Sequence, residues 1–204
     1  MTPTRQVTVL FFGSFNPIHV GHLAVAEAAL ARPEVDSVWF VVTPSNPHKQ
    51  EEGLAPAELR LALVRKVLEG LPGFAVCDIE FTMPPPHYTA STLRALESAY
   101  PKTAFSLLLG ADNLRTLHTW RDAERLAAHS PLYVYPRHGA DVSSATPWET
   151  AFPDVEVIRI PGELHPFSST AVRAALACGE QADAMLPEVL RGDPRLAAAY
   201  GPGI

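Results

Sequence analysis

Two rhythms of hydrophobic positions run along this chain, and they take turns. Val7 to Phe12 is an apolar run of strand length, the pattern of a strand buried on both faces. Leu23 to Ala31 is rich in Ala, Leu and Val and long enough for a helix, which Arg32-Pro33 ends. Val38 to Val42 predicts a second buried strand. Ala57 to Leu71 sets Leu59, Leu61, Leu63, Val64, Val67 and Leu68 among Arg60, Arg65 and Lys66, an amphipathic helix. Phe74 to Phe81 alternates apolar with other residues, as a strand does. Beyond Pro84-Pro85-Pro86 the pattern predicts a helix from Ser91 to Tyr100 and a strong strand from Phe105 to Leu109. Two short helical stretches follow, then strands at Leu132 to Tyr135 and Val155 to Ile160 and a helix from Thr170 to Ala177. His138 to Pro147 reads as a surface loop, and the tail from Pro187 to Tyr200 as helix broken at Gly192-Asp193-Pro194.

Strands that alternate with helices predict an α/β fold, doubly wound around a mostly parallel sheet, here as one domain over residues 1–204 with a helical tail from about 187. In such sheets ligands gather beyond the carboxyl ends of the strands. The polar clusters after the first strand, the second strand and the Phe105 strand all fall there, which predicts one site built from separate loops. Strand order does not follow from the pattern.

Composition narrows the class. Hydrophobic residues make up 47% and charged residues 19%, neither disordered nor membrane-like, and no apolar run is long enough to span a bilayer. A formal charge of −6 argues against broad electrostatic binding of nucleic acid. Two distant cysteines, Cys77 and Cys178, make neither a disulfide framework nor a zinc site. Both are expected to be reduced and buried. These features predict a cytoplasmic protein without membrane or nucleic-acid partners.

The chemistry concentrates in Gly13-Ser14-Phe15-Asn16-Pro17-Ile18-His19-Val20-Gly21-His22, between a buried strand and an Ala-rich helix. Gly13 allows a turn and close approach of a ligand, and Pro17 pre-sets the backbone near the helix start. The first N–H groups of a helix lack internal partners and favour an anion. His19 and His22 share a helix face if the helix has begun, and Gly21 between them lets phosphates come near the backbone. Two imidazoles can donate hydrogen bonds to a phosphoryl group as its charge grows. A metal site is the other reading of a His pair, but no nearby Cys, Asp or Glu completes a shell. The Gly-Lys-Ser/Thr ending of a P-loop and the GxGxxG fingerprint of dehydrogenases are both missing. Further on, Ser168, Ser169 and Thr170 are good N-cap residues. Arg173, one turn into the same helix, can aim its guanidinium at a phosphate.

GSFNPIHVGH resembles the (H/T)xGH signature of the nucleotidylyltransferase superfamily, and Ser168-Ser169-Thr170-Ala171-Val172-Arg173 resembles its ISSTxxR signature, with Phe167 in place of Ile. Other segments resemble the nicotinate-nucleotide adenylyltransferases within it. Asn46-Pro47-His48-Lys49 is similar to their PPHK segment. Pro86-His87-Tyr88-Thr89-Ala90-Ser91-Thr92-Leu93 is similar to SYTxxTL, with His87 replacing Ser. Gly110-Ala111-Asp112-Asn113-Leu114 with Thr119-Trp120 is similar to GxDxl…W. The likeness runs from Val7 to about Pro187.

The resemblance implies a Rossmann-like nucleotidylyltransferase fold and transfer of ATP's adenylyl group to nicotinate mononucleotide, giving deamido-NAD and pyrophosphate. It implies His22, His19 and Arg173 as catalytic groups. ATP would then meet Gly13, Ser14, Phe15, His19, Gly21, His22, Gly110, Asp112, Ser168, Ser169, Thr170 and Arg173. The mononucleotide would meet Asn46, His48, Lys49, Tyr88, Thr89, Ala90, Trp120 and Arg137. Mg²⁺ would ride on ATP's phosphates without protein ligands. Read from residues alone, Asp112 is equally a helix cap, Trp120 a core residue and Arg173 a solvated cation. Other acceptors (nicotinamide mononucleotide, phosphopantetheine, a choline-phosphate-type substrate with CTP) and a non-catalytic nucleotide sensor are the alternatives.

Overall fold

The computed structural model describes residues 6–45, 53–129, 131–136, 146–160, 167–180 and 182–202. Six parallel strands form one sheet: β1 (Gln6–Gly13), β2 (Ser37–Val42), β3 (Phe74–Cys77), β4 (Thr103–Gly110), β5 (Leu132–Tyr135) and β6 (Val157–Arg159). Their order is β3-β2-β1-β4-β5-β6. The chain moves outward from β1 in one direction, then returns to start again at β4, so the switch point lies between β1 and β4.

The apolar runs divide between two faces because successive side chains of a strand point oppositely. Val9, Phe11, Val38, Phe40 and Val42 enter one core with α1 (Val20–Leu30), α2 (Ala57–Leu68), α7 (Ser169–Ala177) and α8 (Pro194–Tyr200). Leu10, Val41, Leu107, Leu109 and Val134 enter the other, with α3 (Thr89–Ala99), α4 (Ala111–Leu114), α5 (Ala123–Ala127) and α6 (Pro147–Ala151). Doubly buried strands explain why the runs look continuous. Among the described residues, no helix is long and apolar enough to cross a membrane.

Several expectations need correction. The first helix begins at Val20, not Leu23, with Pro17 in the turn just before it, near the helix start as expected. The strand expected from Phe74 to Phe81 stops at Cys77, and Ile79–Thr82 forms a 3₁₀ turn that carries Glu80 inward. Pro147, expected in a loop, opens α6, whose N-cap Thr146 and third residue Glu149 form a reciprocal capping box. Cys178 is exposed, while Cys77 is buried and its thiol is pushed up to about 11 by that burial. The tail is broken as expected, into a 3₁₀ turn at Glu188–Leu190 and α8, which packs against α7.

Candidate active site

The loop after β1 is held from both ends of the sequence. His19 is the N-cap of α1, and its Nδ1 accepts the Gly21 N–H at 3.1 Å. His22, three residues on, returns the contact: its Nδ1 accepts the His19 N–H at 3.2 Å. This is a capping box made of two imidazoles instead of a hydroxyl and a carboxylate. A backbone N–H can only donate, so each Nδ1 is a lone pair and each ring carries its proton on Nε2. The rings lie against each other with centroids 3.8 Å apart and planes tilted by 38°. One local motif thus fixes the tautomer of both histidines.

Phe15 supports them. It sits at φ +45, a conformation rare for a bulky residue, with its ring buried edge-on to His22 at 5.1 Å and against Phe11 and Phe40. A Cβ on Gly13 would lie 2.9 Å from the Phe15 ring. Phe15 therefore requires that Gly13 carry no side chain. With its ring in the core, Phe15 can offer a ligand only its backbone. Asn16 is a hub: its Nδ2 donates to the Gly53 carbonyl at 2.7 Å, and its Oδ1 accepts the Ala55 N–H at 3.0 Å and the Tyr200 hydroxyl at 2.6 Å.

The second signature docks on this loop from 152 and more positions away. Ser169 donates to the Pro17 carbonyl at 3.0 Å, and Arg173 donates to the Asn16 carbonyl at 2.9 Å. Ser168 is the N-cap of α7, its oxygen accepting the Ala171 N–H, and Thr170 accepts from Arg173 at 3.4 Å. The two remote signatures form one assembly.

Arg60 is the residue most plainly missed. It is 1% exposed. Its guanidinium donates to the Ala55, Thr43 and Pro44 carbonyls at 3.0, 2.9 and 2.6 Å, and to the Ser14 carbonyl. It clamps the loops after β1 and β2 together. Burial lowers its pKa, and among the described residues it has no carboxylate partner. Spacing held the clue: Leu63, Val64 and Val67 stand three, four and seven positions on, which puts Arg60 on the apolar stripe.

A cavity of about 510 Å³ opens beside this loop at the carboxyl ends of β1 and β4. Gly13 and Ser14 form one wall, and Tyr88, Thr89 and Trp120 line it. Tyr88 is the N-cap of α3 without a side-chain capping bond. Ala90 is fully buried in the core, so its methyl cannot meet a ligand and only its backbone remains for that purpose. Gly110 is the buried N-cap of α4; Asp112 is exposed in that helix's first turn and is not its cap. Trp120 is half-buried and shares in lining the cavity, so it is not sealed core. Asn46, His48, Lys49 and Arg137 lie outside the described residues.

The cavity wall also contains buried polar atoms that have no hydrogen-bond partner among the described residues. Glu80 is 1% exposed, and its Oε1 accepts the Thr92 hydroxyl at 2.7 Å, while Oε2 has no partner. Burial raises its pKa, the Thr92 and Thr43 hydroxyls opposing that shift. His87 Nδ1 is buried without a partner too. Among the described residues, no group of three or more His, Cys, Asp or Glu is placed to hold a metal ion.

A tautomer-fixed His pair in contact, an Arg docked from a late helix and a cavity at the switch point define a nucleotidyltransferase-type site. The comparisons agree. The cytidylyltransferase-like family model matches residues 10–175, so the chain belongs to the cytidylyltransferase-like family. Within it the chain falls among the nicotinate-nucleotide adenylyltransferases. It is 44% identical, over 86% of its length and 85% of the relative's, to a protein named probable nicotinate-nucleotide adenylyltransferase from Bacteroides fragilis. A protein of the same name from Salinibacter ruber is 38% identical, covering 89% of this chain and 91% of its own. The fold superposes on the Plasmodium falciparum nicotinic acid mononucleotide adenylyltransferase complexed with NaAD, with TM-score 0.74 and 18% identity, over 95% of this chain and 94% of that one.

Proposed function

We propose that this chain transfers the adenylyl group of ATP to nicotinate mononucleotide, giving deamido-NAD and pyrophosphate. Besides the family, the observation that carries this reading is the docking of Ser169 and Arg173 on the carbonyls of Pro17 and Asn16, beside an aromatic-lined cavity. The mononucleotide's 5′-phosphate oxygen forms a bond to the α-phosphorus as the bond to the β-phosphate's bridging oxygen breaks. The nucleophile is already an anion at neutral pH, so alignment and charge stabilisation do the work.

His22 is assigned to the α-phosphoryl group through its Nε2–H, with His19 beside it and Arg173 on the leaving pyrophosphate. Gly13, Ser14 and Gly21 contribute backbone at the phosphates, as do Ser168, Ser169 and Thr170 around the α7 N-terminus. Gly110 and Asp112 serve the nucleoside of ATP. Tyr88, Thr89, the backbone of Ala90 and Trp120 take the pyridine ring, with Asn46, His48, Lys49 and Arg137 as further ligands of the mononucleotide. Mg²⁺ would arrive with ATP without a carboxylate cage from this chain, and would neutralise part of the phosphate charge. We assign the reaction to the cytoplasm, where thiols such as Cys77 and Cys178 stay reduced.

Pyrophosphate release with ATP should be fastest for nicotinate mononucleotide when nicotinamide mononucleotide and phosphopantetheine are run beside it, and slower when CTP replaces ATP. Preference for the amide, or release with neither pyridine mononucleotide, would overturn the assignment.

A further inference from the structure

Arg121 was not singled out by its sequence context, and it lines the cavity next to Trp120. Its guanidinium carbon stands 4.9 Å from the centre of the Tyr88 ring. That stacking fixes the cation without neutralising it. The carboxylate next in sequence is spoken for: Asp122 takes a left-handed conformation at φ +55 and accepts from Arg94 at 3.1 Å, across to α3. Among the described residues, Arg121 has no ion pair.

The rest of this wall has the same bias. Tyr88 leaves the N-terminus of α3 without a side-chain cap, and Thr89 at that terminus lines the cavity, so the helix presents its positive end there. His87, nine-tenths buried on the same wall, keeps an Nδ1 without a partner. Among the described residues, the one carboxyl in the wall is Glu80, which is buried, hydrogen-bonded by Thr92 and next to His87. Burial in such a place favours the neutral acid. Arg121 is therefore the one Arg or Lys lining this wall among the described residues, with the α3 N-terminus beside it. An aromatic ring lying against Trp120 and Tyr88 with an anionic substituent would complete it, while a neutral amide of the same shape would leave the cation unpaired.

We propose that Arg121 is a specificity-determining residue, which makes the cavity prefer a ring bearing a carboxylate over its carboxamide. This inference rests on the functional reading above and names the side chain that would set its acceptor preference. Arg121 is exposed, so substituting it should leave the fold intact.

The test compares wild type with Arg121→Met and Arg121→Lys, using nicotinate and nicotinamide mononucleotides as a matched pair. The ratio of kcat/KM for acid over amide should fall about tenfold or more in Arg121→Met, the range expected for loss of one charge-assisted contact. The loss should appear in KM for the acid, with KM for ATP unchanged, and Arg121→Lys should keep most of the preference. Equilibrium binding of both mononucleotides, measured by calorimetry, keeps the result independent of turnover. A chain that binds the acid selectively through Arg121 but releases no pyrophosphate breaks the activity assignment and leaves this inference standing. A chain that turns over both, with a ratio within twofold of wild type in Arg121→Met, overturns this inference alone. Binding of neither mononucleotide overturns both.

Discussion

The loop that carries His19 and His22 and the cavity wall that carries Glu80, His87 and Arg121 are neighbours built on opposite policies. In the loop, the shaping groups bind one another: histidine to backbone, Asn16 to three partners, Arg60 to four carbonyls. In the wall, Glu80 Oε2 and His87 Nδ1 are buried without hydrogen bonds and α3 begins uncapped. A buried polar group left unpaired costs roughly 1–3 kcal/mol, so such a wall discriminates strongly between ligands that can and cannot pair with it. Fixed donors need no rearrangement when charge develops. Under the proposed function, the loop would serve rate and the wall selection.

That contrast can be broken by experiment. The largest effect belongs to His22→Ala, which should lower kcat on the order of 10²–10³-fold, as loss of one preorganised donor does, while KM for ATP moves little. Steady-state pyrophosphate release reads both numbers, and undiminished turnover would detach the loop from the chemistry. Gly13→Ala comes next. The new methyl meets the Phe15 ring at 2.9 Å, and that ring braces His22. Overpacking of this kind should cost about 1–3 kcal/mol in urea unfolding, with kcat falling alongside. Adding Phe15→Leu should restore part of the loss; a double variant no better than the single one would show that the clash is elsewhere.

The smallest effect sharpens the other side. Burial raises the Glu80 pKa above its ordinary 4.5. A carboxyl with a raised pKa in the folded state lends its stability below the unfolded pKa, and loses it as pH climbs through the folded value. Glu80→Gln does not titrate. Its Tm relative to wild type should therefore improve by about 2–4 °C for each kcal/mol of that loss between pH 4.5 and neutrality. Scanning calorimetry at several pH values decides it, and a constant gap would mean that Glu80 is not strained by burial.

Much of this was legible in the chain. The strands of a doubly covered parallel sheet must be apolar on both faces, and Val7 to Phe12, Val38 to Val42 and Phe105 to Leu109 announced themselves for that reason. His19, His22 and Arg173 were singled out from their segments, which the structure brings together, although a histidine capping box has no common sequence mark. Other features escaped because their cause lies far away. β3 stops early and gives way to the turn that buries Glu80 against Thr92, a tertiary partner that local alternation cannot encode. Helix α6 is too short for periodicity, and its one signal was Thr146-Pro147-Trp148-Glu149. Arg60 looked like a surface cation until its neighbours on the helix stripe were counted. Tyr200 offered no local hint of its tie to Asn16.

That tie has a consequence for how the protein is made. The hydroxyl that completes the Asn16 hub comes from a residue 184 positions later in the chain. During translation the histidine loop emerges early, yet its final shape waits until Tyr200 has cleared the ribosome. A nascent chain therefore holds this centre unfinished until that residue has been made and folded back.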